Sequence, residues 1–169
     1  MLTSFALIVY SNIANASGLE KFGSAMQVLM PVTAAGITYV ENDREGFWQL
    51  AKSEVSTALL TEGLKAGIHS QRPNQRGDDS FPSGHASVTF SAAQFLQQRY
   101  GSDYGIPAYV LASVTAYSRV HANEHRWRDV IGGAALGIGS TYYFTESKQS
   151  RLALIPAQKS VMLSYQRVW

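Results

Sequence analysis

Residues 118–129 read SRVHANEHRWRD. Ser118, Arg119, His121, His125 and Asp129 crowd into this one short stretch. Upstream, Ile106–Val120 reads as a helix with Pro107 in its first turn, where a missing N–H does no harm. Downstream, Trp127–Phe144 is a second helix. Its Gly132, Gly133, Ala134, Ala135, Gly137 and Gly139 leave room for a neighbouring helix to come close. His121–Arg126 is a polar break between the two. The stretch is therefore a polar turn carried on helices, and the rest of the chain repeats that pattern.

Leu19–Val40 reads as a helix bent at Pro31. Glu41–Arg44 is a polar turn. Phe47–Ile68 places Leu50, Val55, Ala58, Leu59 and Leu64 on one side, with Lys52, Glu54 and Glu62 largely outside it. His69–Phe81 is a loop of Ser, Gln, Pro, Asn, Gly and Asp. Pro82-Ser83-Gly84 opens a helix from His85 to Tyr100, and Gly101–Gly105 is a turn. Leu152–Ile155 and Val161–Tyr165 look like short strands around Pro156–Lys159. The expected class is all-α: a helical bundle of about five to six helices with a short C-terminal β-hairpin in the 147–169 tail. The 1–169 span is read as one domain.

Composition narrows the function. The 169 residues are 46% hydrophobic and 15% charged, with a net charge of +2. So small a charge, with no basic run, argues against nucleic acid. Without cysteine there is no disulfide and no thiolate metal site. A membrane-spanning helix needs about 20 apolar residues. Phe22–Val40 is uncharged but interrupted by Gly23, Ser24, Gln27, Pro31, Thr33, Gly36 and Thr38; Val130–Thr145 is short. Both read as buried core helices or as helices lying against a bilayer. Residues 1–16 are either a clipped signal peptide, ending at the small-x-small Ala14-Asn15-Ala16, or an ordinary first helix, with a break at Ser17-Gly18.

Three polar clusters carry chemistry. Lys65 closes the long helix and Arg72 follows seven residues later; a phosphoryl group needs such a point charge and such a fork. Alone, they are as well explained as a basic helix end facing the dipole. Ser83 and Gly84 precede a helix, so backbone N–H groups there can cradle an anion, with His85 at the rim to protonate a leaving alkoxide. Alone, this is also a Ser N-cap beside a surface His. His125 and Asp129 are four apart; on a helix the carboxylate would accept Nδ1–H and free Nε2 as nucleophile. Arg119, across the turn, could clamp the same anion. The plain alternative is a surface ion pair. His69 and His121 with Glu124 lack metal-ligand spacing, so no metal is expected. Tyr117, Trp127 and Tyr142 read as core.

Written together, Lys65-x6-Arg72-Pro73, Pro82-Ser83-Gly84-His85 and Ser118-Arg119-x5-His125-x3-Asp129 resemble the three-part signature of the type 2 phosphatidic acid phosphatase superfamily. That superfamily also holds bacterial non-specific acid phosphatases and vanadium haloperoxidases. Every named position matches. Only residues 74–81 separate Pro73 from Pro82, which is short for the family and leaves room for little more than a small lid. The resemblance implies a metal-independent and cofactor-free phosphomonoesterase. In it His125 is the nucleophile, Asp129 orients it and His85 is the general acid. Lys65, Arg72, Ser83, Gly84 and Arg119 hold the phosphate. It implies a phosphorylated lipid or pyrophosphate substrate, membrane contact, and a place in a bacterial cell envelope, periplasmic or on the periplasmic face of the inner membrane. A soluble acid phosphatase on small phosphoesters, a vanadate-dependent haloperoxidase and a non-enzymatic envelope protein are the competing readings. The oligomeric state is left open.

Overall fold

The computed structural model describes residues 16–148, 151–157 and 160–166, with side chains over 18–148. Five helices follow in order: α1 (Ala16–Val40), α2 (Arg44–Gly67), α3 (Gly84–Tyr100), α4 (Ser102–His121) and α5 (Trp127–Phe144). Strands β1 (Arg151–Ala157) and β2 (Ser160–Gln166) pair antiparallel, with Leu154 opposite Leu163. The helical class and the terminal hairpin match the expectation. The question of a signal peptide at residues 1–16 falls outside the described residues except at Ala16. That residue opens α1, which runs through Ser17-Gly18 and through Pro31 without interruption.

Helix α3 is the axis of the bundle and packs against each of the other four helices. Its buried side chains are small up to Ala93, with the larger Phe95, Leu96 and Arg99 toward its C-terminal end. Ala92, Ala93, Phe95 and Leu96 meet Met30 and Ala34 of α1, Leu50 of α2 and Ala108 and Ala112 of α4. Helix α5 comes closest to α3. A Cβ on Gly137 would lie 2.1 Å from the Ser87 carbonyl oxygen, and one on Gly133 would lie 2.5 Å from that of Ser83. The two glycines are four apart, so they share one helix face. That face presses α5 onto the N-terminal half of α3, where the Ser83-Gly84-His85 cluster sits.

Two boundaries differ from the sequence reading, each for a local reason. Helix α2 begins at Arg44 because Asp43 caps it, its Oδ1 accepting the Gly46 N–H at 2.9 Å. The turn expected over Gly101–Gly105 contracts to Gly101 alone. Its φ of 92° reverses the chain, and α4 starts at the next residue.

A third difference concerns the faces of α2. The expected inner row of Val55, Leu59 and Leu64 is exposed. The buried row is Gln49, Ser53, Thr57 and Thr61, at steps of four. Thr57 shares a hydrogen bond with Ser140 of α5 at 2.5 Å. Glu54, expected outside, is partly buried, and its Oε1 has no hydrogen-bond partner. Small hydroxyl side chains permit the close α2–α5 approach that leucines would block.

At the end of the bundle away from Ser83, Arg99 donates two bonds to the Asp43 carboxylate, both 2.7 Å, and one to the Glu146 carbonyl at 2.9 Å. Burial works against the Asp43 charge, but Arg99 and the Gly46 N–H overcome it and hold the carboxyl at about 2. The α1–α2 turn, the end of α3 and the end of α5 are tied at this point.

Candidate active site

The loop between α2 and α3 folds back on itself. Ser70 N–H donates to Asp78 O (2.7 Å), Ser80 N–H to Ser70 O (2.8 Å) and Arg72 N–H to Gly77 O (2.9 Å). This narrow ribbon carries Arg72 back toward Lys65. Arg72 donates through Nε and Nη2 to the two oxygens of Asp79 (2.7 and 2.9 Å) and through Nη1 to Glu124 Oε2 (2.5 Å). Lys65 Nζ lies 3.9 Å from Asp79 Oδ2 and 3.3 Å from Glu62. A Cβ on Gly84 would stand 3.6 Å from Lys65 Nζ, so this ammonium sits over the start of α3. The Arg72 guanidinium beside Asp79 holds that carboxyl at about 2. Asp79 and Glu124 were not singled out from the sequence as anion-site residues. A carboxylate in an aperiodic loop carries no local signal of the cation it meets.

His125 is buried, and its Nδ1 lies 2.8 Å from the backbone carbonyl of Ser80. A carbonyl only accepts, so Nδ1 carries the proton and Nε2 keeps its lone pair. The expected partner, Asp129, does something else. Its Oδ2 accepts from Ser80 Oγ (2.6 Å) and from the Arg126 N–H (2.8 Å). The four-residue spacing would hold only inside a helix, and α5 begins at Trp127, after His125. Asp129 therefore caps α5 and fixes Ser80, and Ser80 fixes the imidazole. Burial lowers the pKa of His125, helped by the Arg72 charge, so the ring stays neutral.

The second cluster joins the third through the backbone: Ser83 N–H donates to the Asp129 carbonyl at 2.9 Å. Ser83 is the N-cap of α3, and Gly84 and His85 are its first residues, so their N–H groups lie at the positive end of the helix. His85 sits half-buried among positive charge. Burial, followed by Arg119, His125, Lys65 and Arg72, lowers its pKa to about 4. All the expected phosphate-holding cations thus act on one imidazole.

Arg119 is buried against α1. Its Nε donates to Ser118 Oγ (3.1 Å), Nη1 to Ser24 Oγ (3.4 Å) and Nη2 to the Glu20 carbonyl. A Cβ on Gly23 would come within 2.8 Å of Nη2. Helix α1, which contributes no residue to the sequence signature, is the wall that aims this arginine.

The remaining candidates take no part in these contacts. His69 faces Asp78 at 3.5 Å. His121 stacks on Tyr117, with ring centroids 5.8 Å apart. Tyr117, Trp127 and Tyr142, expected in the core, are all exposed; Trp127 is 55% accessible.

Residues 39–153 match the PAP2 superfamily. Over 150 residues the chain is 31% identical to the lipid A 4'-phosphatase of Helicobacter pylori, covering 82% of this chain and 75% of that protein. It is 29% identical over 126 residues to the lipid A 1-phosphatase of Porphyromonas gingivalis, covering 71% of this chain and 28% of that protein. Among solved structures, Aquifex aeolicus LpxE has the same fold, with a TM-score of 0.67 at 19% identity over 83% of this chain and 93% of that one.

Proposed function

The chain belongs to the PAP2 superfamily and is a phosphatase of that type, and from that footing we propose that it removes phosphate from a membrane lipid of a bacterial envelope through a phosphohistidine on His125. The observation that carries the reading is that Lys65 and Arg72 meet at Asp79, Lys65 Nζ sits over the start of α3 beside His85, and the Ser83 N–H bond to Asp129 joins that helix start to the segment carrying His125. Phosphoryl transfer needs mainly positioning and stabilisation of charge on the phosphoryl oxygens, and three cations with the α3 N–H groups supply both.

The steps follow from the protonation states. Nε2 of His125 attacks phosphorus as the bond to the leaving oxygen breaks. The Nδ1–H bond to the Ser80 carbonyl stabilises the imidazolium that forms. His85 gives its proton to the leaving alkoxide. Its pKa of about 4 leaves it unprotonated at neutral pH when the protein's own groups alone surround it. Burial depresses it most and persists when phosphate arrives, but the phosphate offsets the neighbouring positive charges that add to it and gives the imidazolium an anion to face, so binding favours the charged ring. Water then attacks the phosphohistidine, His85 takes its proton, and the P–N bond breaks to release phosphate.

The lipid substrate is supported by the two relatives, which act on lipid A, and by the outer faces of the helices. Val55, Leu59, Leu60 and Leu64 of α2 and Val28, Leu29 and Val32 of α1 are exposed, large apolar side chains grouped on the outer faces of two helices. No described helix is long and apolar enough to cross a membrane, so the proposed contact is by these faces.

His125→Ala is expected to lower phosphate release by at least about a thousandfold with the fold intact, as read by circular dichroism. Acid-quenched protein should carry radiolabelled phosphate on histidine, and a chelator should leave turnover unchanged. Wild-type turnover in the variant would refute the nucleophile. A wild type that cleaves a soluble monoester and no lipid phosphate would refute the lipid substrate.

A further inference from the structure

Beside the site lies a cavity of about 680 Å³ lined by the polar residues His69, Ser70, Gln71, Arg126 and Arg128 and by the apolar Ile68 and Phe81. Lys65, Arg72, His85, Arg119 and His125 do not line it. It is nonetheless close to them: Arg126 adjoins His125 in the chain, and Phe81 adjoins Ser80, whose carbonyl holds His125 Nδ1.

Both arginines are pinned along one edge. Arg126 Nη1 donates to the Gln71 carbonyl at 2.7 Å, and Arg128 Nη2 donates to Ser70 Oγ at 3.0 Å. Arg128 Nε reaches Asp129 Oδ1 at 3.3 Å. Each fork has five donors, so several N–H groups on each remain for a ligand. Asp129 pairs with Arg128 through Oδ1, while its Oδ2 is taken by Ser80 and the Arg126 N–H. The Arg126 side chain has no carboxylate partner among the described residues, so the pair of arginines keeps a net positive charge. Asp78, the other acid near the wall, faces His69. Two pre-held guanidinium forks on one wall fit the oxygens of a phosphate-type anion.

The apolar side says what carries the anion. Leu60, Leu64 and Ile68 are exposed at steps of four, so they form one outward row along α2 that ends at the cavity wall. We infer that the cavity is a second anion subsite, taking a phosphate-type oxyanion borne by a lipid while the reacting phosphate sits at His125. The anion belongs either to the substrate molecule or to a neighbouring lipid. This inference rests on the lipid-phosphatase reading above.

The test compares wild type with Arg126→Gln, Arg128→Gln and Gln71→Glu on three substrates. These are a soluble chromogenic monoester, a micellar lipid with one phosphate, and the same lipid with two. Arg126→Gln and Arg128→Gln should raise KM for the doubly phosphorylated lipid about tenfold, as the loss of a charge-assisted hydrogen bond does. Gln71→Glu sets a carboxylate beside Arg126 and should do the same, which keeps the test decisive if Arg128→Gln perturbs Asp129. KM for the soluble monoester should stay within about twofold, since exposed charges a few ångströms removed act weakly. The singly phosphorylated lipid is also diluted into zwitterionic or anionic lipid. A diluent effect that vanishes in Arg126→Gln assigns the anion to a neighbouring lipid; an effect confined to the doubly phosphorylated substrate assigns it to the substrate. An equal change on all three substrates, or none on any, overturns the subsite. The wild type alone distinguishes the other failure: if it cleaves the monoester and neither lipid, the lipid-phosphatase reading falls first.

Discussion

If Lys65 and Arg72 hold the phosphate, as proposed, Asp79 occupies the place an incoming phosphate would claim. Its carboxylate already lies across the Arg72 fork and within 3.9 Å of Lys65. A phosphoryl group must share those cations with it or turn it out, and the side chain is near enough to solvent to turn. Asp79→Asn keeps the shape and removes the competing charge. At an effective dielectric near that of a protein surface, discounted for exposure, this should tighten inhibition by inorganic phosphate or vanadate roughly tenfold. Steady-state inhibition constants decide the point: weaker inhibition would mean that Asp79 serves to hold Arg72 in position instead. This residue also marks the limit of what the sequence discloses. The roles of Lys65, Arg72, His85, Arg119 and His125 are part of the proposed function, but the residues themselves were singled out by type and spacing, and jointly by the family signature they resemble. Asp79, Ser80 and Glu124 were not, because their partners are brought to them only by the fold of the loop, and Asp129 was assigned to the wrong neighbour because His125 precedes the helix.

Among the elements, α2 best separates what periodicity reveals from what it conceals. Its helical spacing was plain, and the helix is there. Which face turns inward was misjudged, because apolar residues are taken to seek the core, whereas here Ser53, Thr57 and Thr61 face it. The inversion leaves Glu54 in the α2–α3 contact, where burial lifts its carboxyl to about 8 despite a hydrogen bond from Ser91. The folded protein thus binds a proton there that the unfolded chain, with an ordinary value of 4.5, has released over the range between. More protons bound in the folded state means stability that falls as pH rises. The contribution is fully present below about 4.5 and is lost as pH climbs through about 8. Glu54→Gln, neutral at every pH, should remove this dependence. Its melting temperature should match the wild type near pH 5 and exceed it by several degrees at pH 9, about 1–2 kcal/mol. Parallel melting curves across that range would show that the carboxyl reaches water.

Over the whole molecule the same inversion repeats. Beside a small apolar core around Phe95, Leu96, Met30 and Leu50, hydroxyls, small residues and the Asp43–Arg99 pair lie inside, while many leucine, valine and aromatic side chains lie outside on α1, α2, α4 and α5. An overall composition of 46% hydrophobic hides this, because inward serines and threonines offset outward leucines. An aqueous protein gains nothing from such an exterior; a protein against lipid does, since helix association there relies on small and hydroxyl residues and the tails receive the rest. Tyr117 and Trp127, ring to ring at 6.5 Å beside the site, have the polar tips and apolar bodies suited to the level of lipid head groups. If the α2 face is the one that meets the bilayer, charge on it should matter for lipids alone. Val55 and Leu59, 59% and 69% exposed and one turn apart, touch little of the core. Val55→Asp with Leu59→Asp should leave the fold and the soluble-monoester rate as they are. Burying those two side chains in hydrocarbon is worth about 3–5 kcal/mol at most, so partial insertion predicts at least a tenfold loss of vesicle co-sedimentation and of lipid turnover. Equal vesicle binding by variant and wild type would move the contact to another face, with the exposed α1 row of Val28, Leu29 and Val32 as the next to be charged.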